Sequence, residues 1–159
     1  MTRKEQYNQL ILQIAGLIKD ETNLVGILAN VSAALHDTFP ERFFWVGFYL
    51  QENGNILRLG PFQGSVACYV IPFGKGVCGK AWEEERTLIV PDVEKFPGHI
   101  ACSSLSRSEI VVPMYDDSHT FRGVLDIDST QFNDFNEDDK EGLERIIELL
   151  MAETHDLFQ

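Results

Sequence analysis

The chain has no long apolar run: stretches such as Ile110-Val111-Val112 end within a few residues. A helix that crosses a bilayer needs about 20, so none is expected. Positive charge is scarce, with 13 Lys and Arg against 25 Asp and Glu and a formal net charge of -12. Such a surface repels phosphate backbones and anionic membrane faces, which argues against nucleic acid or a membrane as partner. Cysteine is also sparse. Cys68, Cys78 and Cys102 are odd in number and include no closely spaced pair, so a disulfide framework of the secreted kind is excluded and the thiols point to a reducing compartment. The first residues, Met1-Thr2-Arg3-Lys4-Glu5-Gln6, lead into no apolar signal core or small-residue cleavage site, and a cytoplasmic location is expected.

What is present is enough for one domain spanning residues 1–159. With 44% hydrophobic and 11% aromatic residues, the chain can fill a core and lies far from disordered compositions. Tyr7, Leu10, Ile11, Ile14, Leu17 and Ile18 recur at helical spacing, and Leu24, Ile27, Leu28, Val31 and Leu35 do so again, predicting two amphipathic helices. From Phe43 the texture turns aromatic and β-branched. Phe43 to Leu50, Ile56 to Leu59 and Val66 to Ile71, separated by Asn53-Gly54-Asn55 and Gly60-Pro61, predict an antiparallel meander. A short helix at Gly79 to Glu84 and a brief strand at Leu88 to Val90 follow. The stretch from Pro91 to Ser108 is long for a loop in a compact domain, which marks it as functional. Ile110 to Tyr115 and Phe121 to Ile127 form a second hairpin. Asn136 then caps a last helix, with Leu143, Ile146, Ile147 and Leu150 as its apolar stripe. Helices that flank a block of about six strands, instead of alternating with them, define an α+β fold.

Several groupings carry chemistry. Gly74-Lys75-Gly76-Val77-Cys78-Gly79 fits a G-x-G-x-x-G pattern, but the segment to Arg86 is too short for the crossover helix of a dinucleotide fold. It reads as a flexible glycine turn that holds Cys78. His99 and the three cysteines suggest zinc, yet Cys68 and Cys78 are too far apart for the tight ligand pairs of a structural zinc site. Cys68, placed on a strand between Ala67 and Tyr69, can be a small buried hydrophobe. Cys102 differs, because a Ser-rich loop offers exposure and backbone N–H groups that favour a thiolate. Asp126 and Asp128, two apart on a strand, leave the same face of the sheet. They form either a solvated row or, with Glu109, an acidic cleft that keeps a proton near neutral pH. Alternation also sends Trp45 and Tyr49 to one face, as core or as an aromatic wall. Residue chemistry alone favours a redox thiol site with acidic assistance.

Trp45-Val46-Gly47-Phe48-Tyr49, Gly60-Pro61-Phe62-Gln63-Gly64, Gly76-Val77-Cys78-Gly79, Asp92-Val93, Gly98-His99-Ile100-Ala101-Cys102, Ser108-Glu109-Ile110 and Gly123-Val124-Leu125-Asp126-Ile127-Asp128-Ser129 occur in that order. Together these strings resemble the free methionine-R-sulfoxide reductases, enzymes of the GAF fold, from the first helix to the last. The resemblance implies a GAF-like six-stranded antiparallel sheet, helices on one side, a closed ligand pocket on the other, and a homodimer. It makes Cys102 the nucleophile and places Cys68 and Cys78 on the family's two other cysteines, with Cys68 the preferred resolving residue. Glu109, Asp126 and Asp128 match the acidic pocket residues, and Trp45 and Tyr49 the aromatic wall.

The implied activity is reduction of free L-methionine-(R)-S-oxide through a sulfenic acid and an intramolecular disulfide, recycled by thioredoxin, with no metal or organic cofactor. The rival reading is a GAF module that binds a small ligand without chemistry.

Overall fold

The computed structural model describes residues 1–158. Thr2 accepts a hydrogen bond from the Glu5 N–H and caps α1 (Arg3–Ile18); Asn23 does the same through the Gly26 N–H for α2 (Leu24–Thr38). Each cap supplies an acceptor to a backbone donor that the helix itself cannot satisfy. Of the foreseen stripes, Tyr7, Leu10, Ile14 and Ile18 on α1 and Ile27, Leu28, Val31 and Leu35 on α2 are buried, whereas Ile11 and Leu24 are half-buried and Leu17 is exposed. Between them and the last helix lie β1 (Trp45–Glu52), β2 (Ile56–Gln63), β3 (Val70–Pro72), α3 (Gly76–Glu84), β4 (Leu88–Val90), β5 (Ser108–Tyr115) and β6 (Phe121–Ser129). The strands form one antiparallel sheet in the order β3-β2-β1-β6-β5-β4.

α4 (Glu137–Thr154) begins with a reciprocal cap between Asn136 and Asp139. On one face of the sheet α1, α2 and α4 cover Val46, Phe48, Ile110, Val112, Leu125 and Ile127. On the other face a second apolar cluster, including Trp45, Tyr49, Val111, Val124 and residues of α3, surrounds a cavity.

Three local expectations change. Gly60-Pro61 does not end β2, because these two residues sit opposite Phe48 alone and the strand continues through a bulge. A bulge is one of the few places where a sheet accepts proline, which has no N–H to donate. The strand expected over Val66 to Ile71 shrinks to Val70–Pro72, so Cys68 lies in the segment 64–69, off the sheet. Side chains take over the ladder there: Trp45 Nε1 donates to the Ser65 carbonyl and the Tyr49 hydroxyl to that of Cys68, both at 3.0 Å. The glycine turn before Cys78 is the first turn of α3. Gly76 opens it at a φ of +61° with Ile100 packed close against its Cα, a conformation that a side chain would strain.

A buried charge knot ties the helices together. The Asp139 carboxylate, fully buried, accepts from the Tyr7 hydroxyl at 2.7 Å, Arg3 Nη1 at 2.8 Å, Arg42 Nη2 at 3.0 Å and the Asn136 N–H at 2.9 Å. Arg42 also donates from Nε to Asp134 at 3.1 Å, and the Ser129 hydroxyl at the end of β6 reaches Asp134 at 2.6 Å. Removing one member of a buried, paired cluster strands the others, which costs about 3–5 kcal/mol. Asp139→Ala is therefore expected to lose that much stability in urea denaturation; an unchanged midpoint would show that the knot contributes nothing.

Candidate active site

Strand register assembles the acidic side chains. Trp45 on β1 stands opposite Asp128 on β6, and Asp128 opposite Glu109 on β5. Directly opposed residues share a face of the sheet, so the three form a row across it. Two residues back along β6, Asp126 is flanked by Gly47 and Val111. Gly47 contributes no side chain, and the space a Cβ would take there is filled by Phe62 and the Pro61 carbonyl of β2. Glu109 and Asp126 are buried, Asp128 partly so, and none belongs to a solvated row.

Trp45 stacks on Tyr49 with ring centroids 5.8 Å apart and on Phe62 at 5.1 Å. From α3, Cys78 enters the same space: its Sγ and a carboxylate oxygen from each of Glu109 and Asp126 lie within 4.8 Å of one another. The segments 64–69 and 91–107 frame the opening. They are joined by a disulfide between Cys68 and Cys102, 34 residues apart in sequence and 5.4 Å apart at Cα. Cys102 lines a cavity into which Tyr49, Cys78, His99, Glu109, Asp126 and Asp128 project, and Cys68 is tied to it through the disulfide.

The structure thus brings all eight residues singled out in the sequence to one place. It does not assemble the four zinc candidates as a set. Cys68 and Cys102 are bonded to each other, while Cys78 sits with Glu109 and Asp126. Two further residues enter the site. His99 places Nε2 3.9 Å from Glu109 Oε1, and buried Ser106 directs its hydroxyl to Asp128. Ser106 belongs to a run of serines whose only sequence signal is its place in an overlong loop.

The electrostatics are those of a crowded acid pocket. Burial first, then the Asp126 and Asp128 charges, push the Glu109 carboxyl well above its usual range. Burial and the Asp126 charge do the same to Asp128, with the Ser106 hydrogen bond opposing. Burial raises Asp126 as well, but Glu109, Cys78 and His99 all favour its charged form. Asp126 is accordingly the first of the three to ionise, and the others keep protons because their neighbour has lost one. Burial, followed by the Asp126 charge, also lifts the Tyr49 hydroxyl and the Cys78 thiol, so Cys78 remains a thiol. Burial lowers His99, opposed by Asp126 and Glu94. One buried oxygen, Asp126 Oδ1, has no hydrogen-bond partner.

A curled six-stranded antiparallel sheet with helices on one face and a cavity on the other is a GAF domain. Residues 21–152 match the family described as "GAF domain", and the chain belongs to it. It is 56% identical over 149 residues to GAF domain-containing protein A of Dictyostelium discoideum, covering 94% of this chain and 92% of that one. The free methionine-R-sulfoxide reductase of Saccharomyces cerevisiae is 43% identical over 155 residues, with 94% and 86% covered. The free methionine-R-sulfoxide reductase of Neisseria meningitidis, solved in complex with its substrate, superposes with a TM-score of 0.93 at 45% identity, covering 98% and 92%. Within the GAF domains the chain is a member of the free methionine-R-sulfoxide reductase family.

The raised Glu109 carboxyl has a measurable consequence. Unfolded, the group ionises near 4.5, while folded it holds its proton to higher pH. The folded state then binds more protons, so this group's contribution to stability falls as pH rises above that value. Glu109→Gln, which mimics the protonated form, is expected to raise the thermal midpoint at mildly alkaline pH and to flatten the decline of stability with pH. A variant with an unaltered slope would mean that Glu109 ionises normally.

Proposed function

We propose that the protein reduces free L-methionine-(R)-S-oxide to L-methionine. The observation that carries this reading is the Cys68–Cys102 bond at the mouth of a cavity lined by three acidic side chains and an aromatic wall. A sulfoxide sulfur is electrophilic once its oxygen is hydrogen-bonded or protonated, and carboxyls whose pKa values are pushed up by burial keep the proton that this requires. In the reduced protein the Cys102 thiolate attacks the sulfur. The oxygen takes up a proton and passes to Cys102 as a sulfenic acid while methionine leaves. The Cys68 thiol then condenses with the sulfenic acid, giving the disulfide and releasing the oxygen as water. A dithiol protein of the thioredoxin class restores both thiols by exchange.

Cys78 has a different place in this scheme. Buried beside Asp126 with its thiol pKa raised, it is a poor nucleophile and serves as a neutral neighbour of the acid cluster. Trp45 and Tyr49 hold the substrate's apolar end. The acidic lining suits the α-ammonium of a free amino acid, a charge that a residue within a peptide lacks. The family resemblance adds a homodimer and a cytoplasmic setting to the proposal. Among the described residues no helix is long and apolar enough to cross a membrane.

Consumption of NADPH through thioredoxin reductase and thioredoxin tests the reading, with the free R sulfoxide, its S epimer and a peptide-bound R sulfoxide as substrates. Turnover is expected for the free R form alone and should vanish in Cys102→Ser. Cys68→Ser should release a single methionine per chain and then stall, because the sulfenic acid lacks its partner. If neither thioredoxin nor a small dithiol drives turnover, the protein binds its ligand without chemistry.

A further inference from the structure

The two sulfurs of the disulfide stand in unlike surroundings. Cys102 lines the cavity, whereas its partner Cys68 does not. Glu109, Asp126 and Asp128 line the same cavity, and the Asp126 charge repels any thiolate that enters it. The chain on either side of the two cysteines has another character. From Leu59 to Gly74, and again from Phe96 to Ser106, the sequence has no Asp, Glu, Lys or Arg, residues that make up 24% of the chain. Cys68 and Cys102 stand inside these stretches. Val66, Tyr69 and Leu105, each within three residues of a bonded cysteine, are 88%, 78% and 56% exposed. An exposed apolar residue standing alone needs no explanation. Three of them drawn together by one bond, in segments free of charge, have the composition of an interface core. On a chain of net charge -12, a second protein meets the least repulsion there.

We propose that Val66, Tyr69 and Leu105 form the docking surface for the dithiol protein that reopens the disulfide, and that this partner attacks Cys68 and not Cys102. The proposal rests on the reductase reading given above, in which the bond closes once per turnover. The outcome of exchange depends on which sulfur is attacked and on access to it. The partner's first thiolate bonds to Cys68 Sγ, the Cys68–Cys102 bond breaks, and Cys102 leaves with the electron pair as a thiolate. The partner's second thiolate then attacks its own first sulfur, which forms the partner's disulfide and releases Cys68. Two electrons pass to the protein, and its two thiolates take up the protons that the partner's thiols gave up. Attack at Cys68 frees Cys102 in the first step, already facing the cavity. Attack at Cys102 would tether the partner to the residue that has to meet the next substrate.

A thioredoxin whose second active-site cysteine is replaced by serine stops the exchange at the mixed disulfide. Mixed with the oxidised protein, quenched with acid and mapped by mass spectrometry, it is expected on Cys68, with Cys102 free to be alkylated. An adduct on Cys102 would overturn the assignment of the attacked sulfur. No adduct, while a small dithiol still opens the bond, would overturn both parts of the proposal. Tyr69→Asp and Leu105→Asp test the surface. Each should slow reduction of the bond by native thioredoxin roughly 10-fold, the scale of losing one interface anchor, and leave reduction by a small dithiol unchanged. Unaltered rates with thioredoxin, or equal slowing with both reductants, would overturn the docking surface. None of these assays contains a sulfoxide, so their failure is separate from that of the reductase reading, which would show as a bond that a small dithiol opens without any turnover of the sulfoxide.

Discussion

Strict alternation along β6 is the constraint on which both halves of the molecule depend. Leu125 and Ile127 enter the core beneath α1, α2 and α4, so Asp126 and Asp128 have to leave the opposite face. A slip of one residue would bury two carboxylates among leucines and isoleucines and turn the core residues outward. The helical core therefore places the acids, although no helix of that core touches them. Pairing with β1 and β5 then supplies Trp45 and Glu109 at the same level.

Two acidic clusters in one small protein show how partners decide what a buried carboxylate does. Asp139 is met by two arginines, a tyrosine hydroxyl and a backbone N–H, and it acts as a clasp between α1, α4 and the entry to β1. Glu109, Asp126 and Asp128 line a cavity with no described arginine or lysine, and Glu109 and Asp128 answer the strain by retaining protons beside Asp126. Groups whose titration is displaced by burial and by one another are the raw material of acid–base chemistry. Asp126 Oδ1, left without a hydrogen-bond partner, marks where that unrelieved demand is concentrated.

Much of this was legible in the residues because it rests on periodicity. Helical stripes, alternating strands, the Asn136 cap and the shared face of Asp126 and Asp128 follow from local geometry. What escaped depended on contacts between distant segments. Gly60-Pro61 looked like a turn because a bulge opposite Phe48 cannot be seen without the partner strand. Cys68 looked like a strand residue because nothing local announces that Trp45 and Tyr49 will satisfy the backbone carbonyls of its segment. The Cys68–Cys102 pair was favoured through family resemblance, since spacing alone left Cys78 equally open. His99 was noticed for the wrong partners: cysteine chemistry drew attention to zinc, whereas the ring faces Glu109.

The bond between Cys68 and Cys102 closes a loop of 34 residues, and closure of that size removes unfolded-state entropy worth about 4 kcal/mol in the chain-entropy model. Thermodynamic linkage works in both directions: a crosslink that favours the fold is itself favoured by the fold, because folding holds its two sulfurs in reach of each other. An attacking dithiol must overcome that reciprocal preference as well as break a sulfur–sulfur bond. The protein's conformational stability and its electrochemistry are thus one quantity seen from two sides, and any substitution that loosens the segments 64–69 or 91–107 will make the disulfide easier to reduce.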